Sequence, residues 1–126
     1  MSFRTPLGRV RGLGSAKSGT GTWWLERLTS LALVPLTLWF AGSLAMLARA
    51  DYPTASHWLR GPINAVLLVL MLVIAFYHAM LGVQVILEDY VRREGLRLVV
   101  LLALKALLVL LAAIAVFAVL RVALGN

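Results

Sequence analysis

Three long apolar runs, over about residues 28–48, 62–87 and 98–124, alternate with short polar breaks along this chain. Each run can cross a hydrocarbon core of ~30 Å at ~1.5 Å of helix per residue. Inside a bilayer every backbone polar group must be paired, and three strands could not close a barrel. The pattern therefore predicts an all-α fold: an integral membrane bundle of three transmembrane helices. A basic arm over residues 1–22 precedes them, and the whole of 1–126 reads as a single domain.

The interruptions refine this picture. Pro35 removes a backbone donor early in the first run and predicts a bend there. Asp51, Tyr52 and Pro53 open the first connection, and Gly61 and Pro62 close it. These are breaker signals, so the stretch between reads as a loop, with His57 solvated on it. Lys105 sits about two turns into the third run, where a long stem can snorkel toward the nearer interface. The Gly-, Ser- and Thr-rich stretch over 12–21 reads as an extended segment that needs a partner to become ordered.

Composition supports the membrane reading. Of 126 residues 62% are hydrophobic, and a soluble domain would need more polar residues to cover its surface. The net charge of +7 does not point to nucleic acid, because the basic residues lie at the edges of the apolar runs. There they serve topology and contact with lipid headgroups. No apolar stretch follows the first basic residues, so the N-terminus reads as a basic cytoplasmic arm rather than a secretory signal. The chain has no cysteine, which excludes disulfides, iron–sulfur clusters and zinc thiolate sites built by it alone.

Charge also predicts orientation. Arg4, Arg9, Arg11, Lys17 and Arg27 precede the first run, and Arg92, Arg93 and Arg97 lie in the second connection. A three-span chain puts these two regions on one side, leaving only Arg49, Arg60 and Arg121 opposite. The positive-inside rule then places the N-terminus in the cytoplasm, or its mitochondrial equivalent, and the C-terminus across the membrane. Trp23, Trp24 and Trp58 fall near the expected interfaces, as aromatic belts do.

The second run carries the chemistry. His78 is a lone ionisable residue in an apolar helix, where such groups have a partner or a job. A neutral imidazole is a common metal ligand, haem iron included. Ala75, His78, Gly82, Val85 and Asp89 share one helical stripe. Gly82, one turn from His78, would let a flat macrocycle approach the backbone. The competing reading is a helix contact through small residues, with His78 bonded to a neighbour. Asp89 and Tyr90 end the run. A carboxylate and a phenol suit the polar head of a lipophilic ligand, or they simply anchor a helix terminus at the interface. Arg27 is either a positive-inside anchor or a fork for a carboxylate or propionate. Thr29 and Ser30 can bond the preceding turn of their own helix.

The string His78-Ala79, Gly82, Glu88-Asp89-Tyr90-Val91 resembles the haem- and quinone-site motif of the small membrane-anchor subunit of succinate dehydrogenase, respiratory complex II. The arm over residues 4–17 looks like that of its alphaproteobacterial members, as does Trp23-Trp24-Leu25-Glu26-Arg27-Leu28-Thr29 followed by Val34-Pro35-Leu36. The third run matches only as a hydrophobic helix. The resemblance implies that His78 is an axial ligand of haem b, opposite a histidine of the larger cytochrome b anchor subunit. It implies that Tyr90 hydrogen-bonds a ubiquinone carbonyl, that Asp89 supports that pocket, and that Arg27 lies near the haem propionates. Two positions depart from the pattern: Glu26 stands where members often have Gln, and Thr22 where they often have His.

The leading expectation is a bacterial inner-membrane anchor, non-catalytic alone, for a succinate-oxidising head of flavoprotein and iron–sulfur subunits. Its partners would be these chains, the larger anchor subunit and membrane lipid, with no nucleic acid. The alternatives are the anchor of a quinol:fumarate reductase and a non-redox membrane scaffold in which His78 only packs.

Overall fold

The computed structural model describes residues 5–10 and 19–125. Its helices are α1 (Pro6–Val10), α2 (Gly19–Leu47), α3 (Tyr52–Arg60), α4 (Pro62–Tyr90) and α5 (Glu94–Ala123), with no strand among the described residues. The all-α expectation holds. Three helices are long and apolar enough to cross a membrane: Thr20–Leu47, Pro62–Tyr90 and Glu94–Ala123.

The helices overrun the apolar segments. An apolar run marks the hydrocarbon stretch, whereas intrahelical pairing carries the backbone on into the interface. The largest extension is at α2, which starts at Gly19 rather than near residue 28. Gly19 to Gly21 therefore belong to a helix and not to an extended arm. Within the rest of the arm, Pro6–Val10 forms a short helix. Arg4, Arg11, Lys17 and the stretch 12–18 lie outside the described residues. Pro35 sits inside α2, which continues for about three turns beyond it.

The first connection is also a helix, which corrects the loop expectation. Asp51 has an extended backbone, and its side chain accepts a hydrogen bond from the Thr54 amide at 3.2 Å. Pro53 falls in the opening positions of α3, where its missing N–H costs nothing. These residues thus start a helix as readily as they break one. His57 is exposed, on α3 rather than on a loop. Trp58 stacks on Trp39 of α2, with centroids 5.7 Å apart and planes 24° from parallel. The turn into α4 is tight: Asn64 Nδ2 donates to the Trp58 carbonyl at 2.8 Å. A Cβ on Gly61 would stand 3.1 Å from that carbonyl oxygen and 3.2 Å from Asn64 Nδ2, so a larger residue would have to push this turn apart by a few tenths of an ångström.

α4 is the central element, packed against both α2 and α5, while α3 lies on α4 and α5. Among the described residues only Leu36, Leu81, Val119 and Ser43 are buried, and none of them is sealed completely. Leu31, Val34, Leu38, Val73 and Phe117 stay exposed. Lipid tails are as apolar as these side chains, so helix association in a bilayer rests on van der Waals fit and interhelical hydrogen bonds. Two such bonds hold the bundle at α4. Thr29 meets His78 from α2, and Lys105 reaches Gln84 from α5. Bonds of this kind contribute about 0.6 kcal/mol on average.

Candidate functional site

His78 lies on α4, half-buried, twelve residues before the helix ends at Tyr90. That separation is roughly 18 Å of helix. Its Nδ1 is 2.8 Å from Thr29 Oγ1. No hydrogen bond among the described residues reaches its Nε2, and no unpartnered side-chain nitrogen or oxygen is sealed from solvent. Nε2 is therefore accessible. The ring borders a shallow groove of about 450 Å³, lined otherwise by Ser30, Leu33, Val34, Thr37 and Leu38 of α2.

One turn further, Gly82 faces open space: nothing lies within 4 Å of where a Cβ would stand. Within this chain Gly82 is thus no helix-contact residue. Arg27 is exposed near the start of α2, its guanidinium 4.1 Å from the centroid of Trp23, a cation–π contact. That posture leaves the planar N–H fork available. Trp24 packs edge-on against Trp23 at 5.0 Å.

Asp89 and Tyr90 are exposed at the end of α4, Tyr90 to 81%. Neither makes a hydrogen bond or ion pair with a described residue. The structure therefore brings His78 together with α2 but gives the Asp89–Tyr90 pair no partner among the described residues.

Four side chains make polar contacts that the sequence did not assign. Thr29 is the first. The other three form a polar chain across α4 and α5: Lys105 Nζ donates to Gln84 Oε1 at 2.9 Å, and Gln84 Nε2 donates to Glu88 Oε1 at 3.0 Å. Lys105 is half-buried. Its amine has found a partner inside the bundle, where the sequence suggested only a snorkelling stem. A glutamine one turn before a glutamate on α4 was the available signal, since amide groups in apolar helices serve as cross-links.

Comparison with known proteins bears directly on this arrangement. Residues 1–120 match the family model of the succinate dehydrogenase/fumarate reductase transmembrane subunit. The chain is 36% identical over 103 residues to a succinate dehydrogenase hydrophobic membrane anchor subunit of Rickettsia bellii, covering 82% of each chain. It is 33% identical over 86 residues to a succinate dehydrogenase membrane anchor subunit of Reclinomonas americana, covering 66% of this chain and 72% of the relative. A hydrophobic membrane anchor subunit of Paracoccus denitrificans is 27% identical over 90 residues, with 71% and 70% covered. With its three apolar helices and this match along nearly its whole length, the chain belongs to the succinate dehydrogenase/fumarate reductase transmembrane subunit family, among the hydrophobic membrane anchors of succinate dehydrogenase.

Proposed function

We propose that the chain anchors a succinate:ubiquinone oxidoreductase, gives one axial ligand to a haem b through His78, and builds part of the ubiquinone-reduction site with Tyr90 and Asp89. The observation that carries this reading is the state of His78: Nδ1 engaged, Nε2 accessible, beside an apolar groove. The donor set fits a haem. Among the described residues no three His, Cys, Asp or Glu side chains converge on a metal ion, so the chain offers one nitrogen rather than a complete ion site. A macrocycle would bring most of the iron's nitrogens itself, so a single imidazole from this chain would suffice to help hold it. A histidine of the larger anchor subunit would complete the hold on the iron. Bound there, haem supplies a one-electron redox centre.

This chain's residues then have defined tasks. His78 would hold the iron through Nε2, and Gly82 leaves the backbone open beside it. Arg27 offers its fork to a propionate. At the interface Tyr90 donates its hydroxyl hydrogen to a quinone carbonyl oxygen, while Asp89 keeps a carboxylate near protons arriving from water. The head's flavoprotein and iron–sulfur subunits deliver the electrons, since a chain without cysteine builds no such cluster. The basic arm and the α4–α5 connection face the cytoplasm of a bacterial inner membrane, and the C-terminus faces the periplasm.

The test is His78→Ala in the assembled complex. The reduced α-band should be lost or shifted; an unchanged spectrum and potential would show that His78 is not the ligand.

A further inference from the structure

The Thr29 hydroxyl is crowded by three groups. Oγ1 lies 2.7 Å from the Leu25 carbonyl oxygen, 3.0 Å from that of Glu26, and 2.8 Å from His78 Nδ1. A threonine hydroxyl owns one hydrogen and two lone pairs. Carbonyl oxygens can only accept, so the hydrogen must go to them. Turned toward Nδ1 instead, it would leave two oxygens facing Oγ1 with no hydrogen between. The remaining lone pair can only receive, so the hydrogen at 2.8 Å on the other side sits on Nδ1. A neutral imidazole protonated at Nδ1 carries its lone pair on Nε2, the nitrogen that no described residue engages.

We propose that Thr29 is a positioning residue for His78: by accepting Nδ1–H it fixes the imidazole tautomer and ring plane that present the Nε2 lone pair to an iron. The proposal rests on the reading of His78 as a haem ligand and adds to it a group on a different helix, 49 residues away in sequence. Two features make the device rigid. The hydroxyl is itself locked to its own helix turn, so it cannot rotate away. The ring is also confined by packing, since Thr29 and His78 are both half-buried where α2 meets α4. An acceptor on the distal ring nitrogen raises the basicity of a ligating histidine, and removing it commonly weakens metal retention by roughly 10- to 100-fold.

The experiment uses the assembled complex with Thr29→Val, which keeps the side chain's size and removes the acceptor. The expected result is a raised haem midpoint potential, altered low-spin g-values and faster haem loss, with Thr29→Ser returning all three toward the parental values. Ser43→Ala is the control for helix geometry. Ser43 Oγ makes the same backward bond on α2, to the Trp39 carbonyl at 2.8 Å, and hydrogen-bonds no histidine among the described residues. Parental haem properties in Thr29→Val, an equal change in Ser43→Ala, or failure of Thr29→Ser to restore them would each overturn the proposal. If Thr29→Val does not assemble, the ¹H shift of the His78 Nδ1 proton in the ferrous parental complex decides: a downfield position, as for a proton bonded to a hydroxyl oxygen, supports the assignment, and the position of an unbonded imidazole N–H overturns it. His78→Ala separates the two layers. Unchanged haem in that variant removes the ligand reading itself, whereas altered haem there beside parental haem in Thr29→Val removes only the role of Thr29.

Discussion

A hydroxyl at the end of α4 and an imidazole in its middle ask different things of the same helix. Tyr90 is exposed and has no partner among the described residues, so its hydroxyl can donate outward. A quinone carbonyl gains negative charge as electrons arrive, and a donor already in place strengthens its bond as that happens. Tyr90→Phe keeps the ring and removes the donor. Succinate:quinone turnover should fall roughly 100-fold, while succinate oxidation with a water-soluble acceptor stays at the parental rate. Normal quinone reduction would make Tyr90 an interface anchor only. His78 and Tyr90 could be proposed from the sequence because one interrupts an apolar run and the other closes it beside a carboxylate. Thr29 was not, since its backward bonds to Leu25 and Glu26 account for a threonine there without any partner. Only the packing of α2 on α4 brings the two residues together. The Lys105–Gln84 bond was hidden for the same reason: it depends on how α5 lies against α4.

At the scale of elements, the long helices followed from apolar length, but α3 did not. Its sequence, Tyr52-Pro53-Thr54-Ala55-Ser56, carries proline and small polar residues that serve turns and helix starts alike. The deciding feature is the Asp51 cap. Hydrogen bonds from Thr54, its side chain first and then its amide, hold the Asp51 carboxyl below its ordinary range. A carboxyl lowered on folding contributes stability above its unfolded value, and that contribution disappears as pH falls through the folded one. α3 should therefore stay closed at neutral pH and loosen as acidity passes below about pH 4. Hydrogen exchange over residues 52–60, corrected for intrinsic rates, would report this. Asp51→Asn caps as well without titrating and should remove the pH dependence; Asp51→Ala should exchange quickly throughout. A parental profile without any acid-side rise would refute the role of the cap.

Across the whole molecule, exposed apolar surface and edge-placed charge make sense only with a bilayer and neighbouring chains around them. Leu31, Val34 and Leu38 remain uncovered on the α2 face that borders the His78 groove. The sequence could announce three spans but not how little three helices cover one another, because that depends on the arrangement with α4 at the centre. Orientation is where sequence and fold combine most sharply. α2 and α4 run in opposite senses, so Arg27 at the start of α2 and Arg92 and Arg93 after α4 share one side, while α3 occupies the other. Arginine resists translocation, so the proposed orientation puts the richer side in the cytoplasm. The absence of cysteine makes this testable with single substitutions in this chain. His57 and Gly95 are both exposed, and no atom lies within 4 Å of a Cβ at Gly95. In right-side-out vesicles a membrane-impermeant maleimide should modify His57→Cys and spare Gly95→Cys. In inverted vesicles the pattern should reverse, and permeabilised membranes should yield both. If His57→Cys reacts only from the cytoplasmic face, the orientation is inverted. The Asp89–Tyr90 pair would then open on the side away from the cytoplasm, and a succinate-oxidising head docked in the cytoplasm could not deliver electrons there.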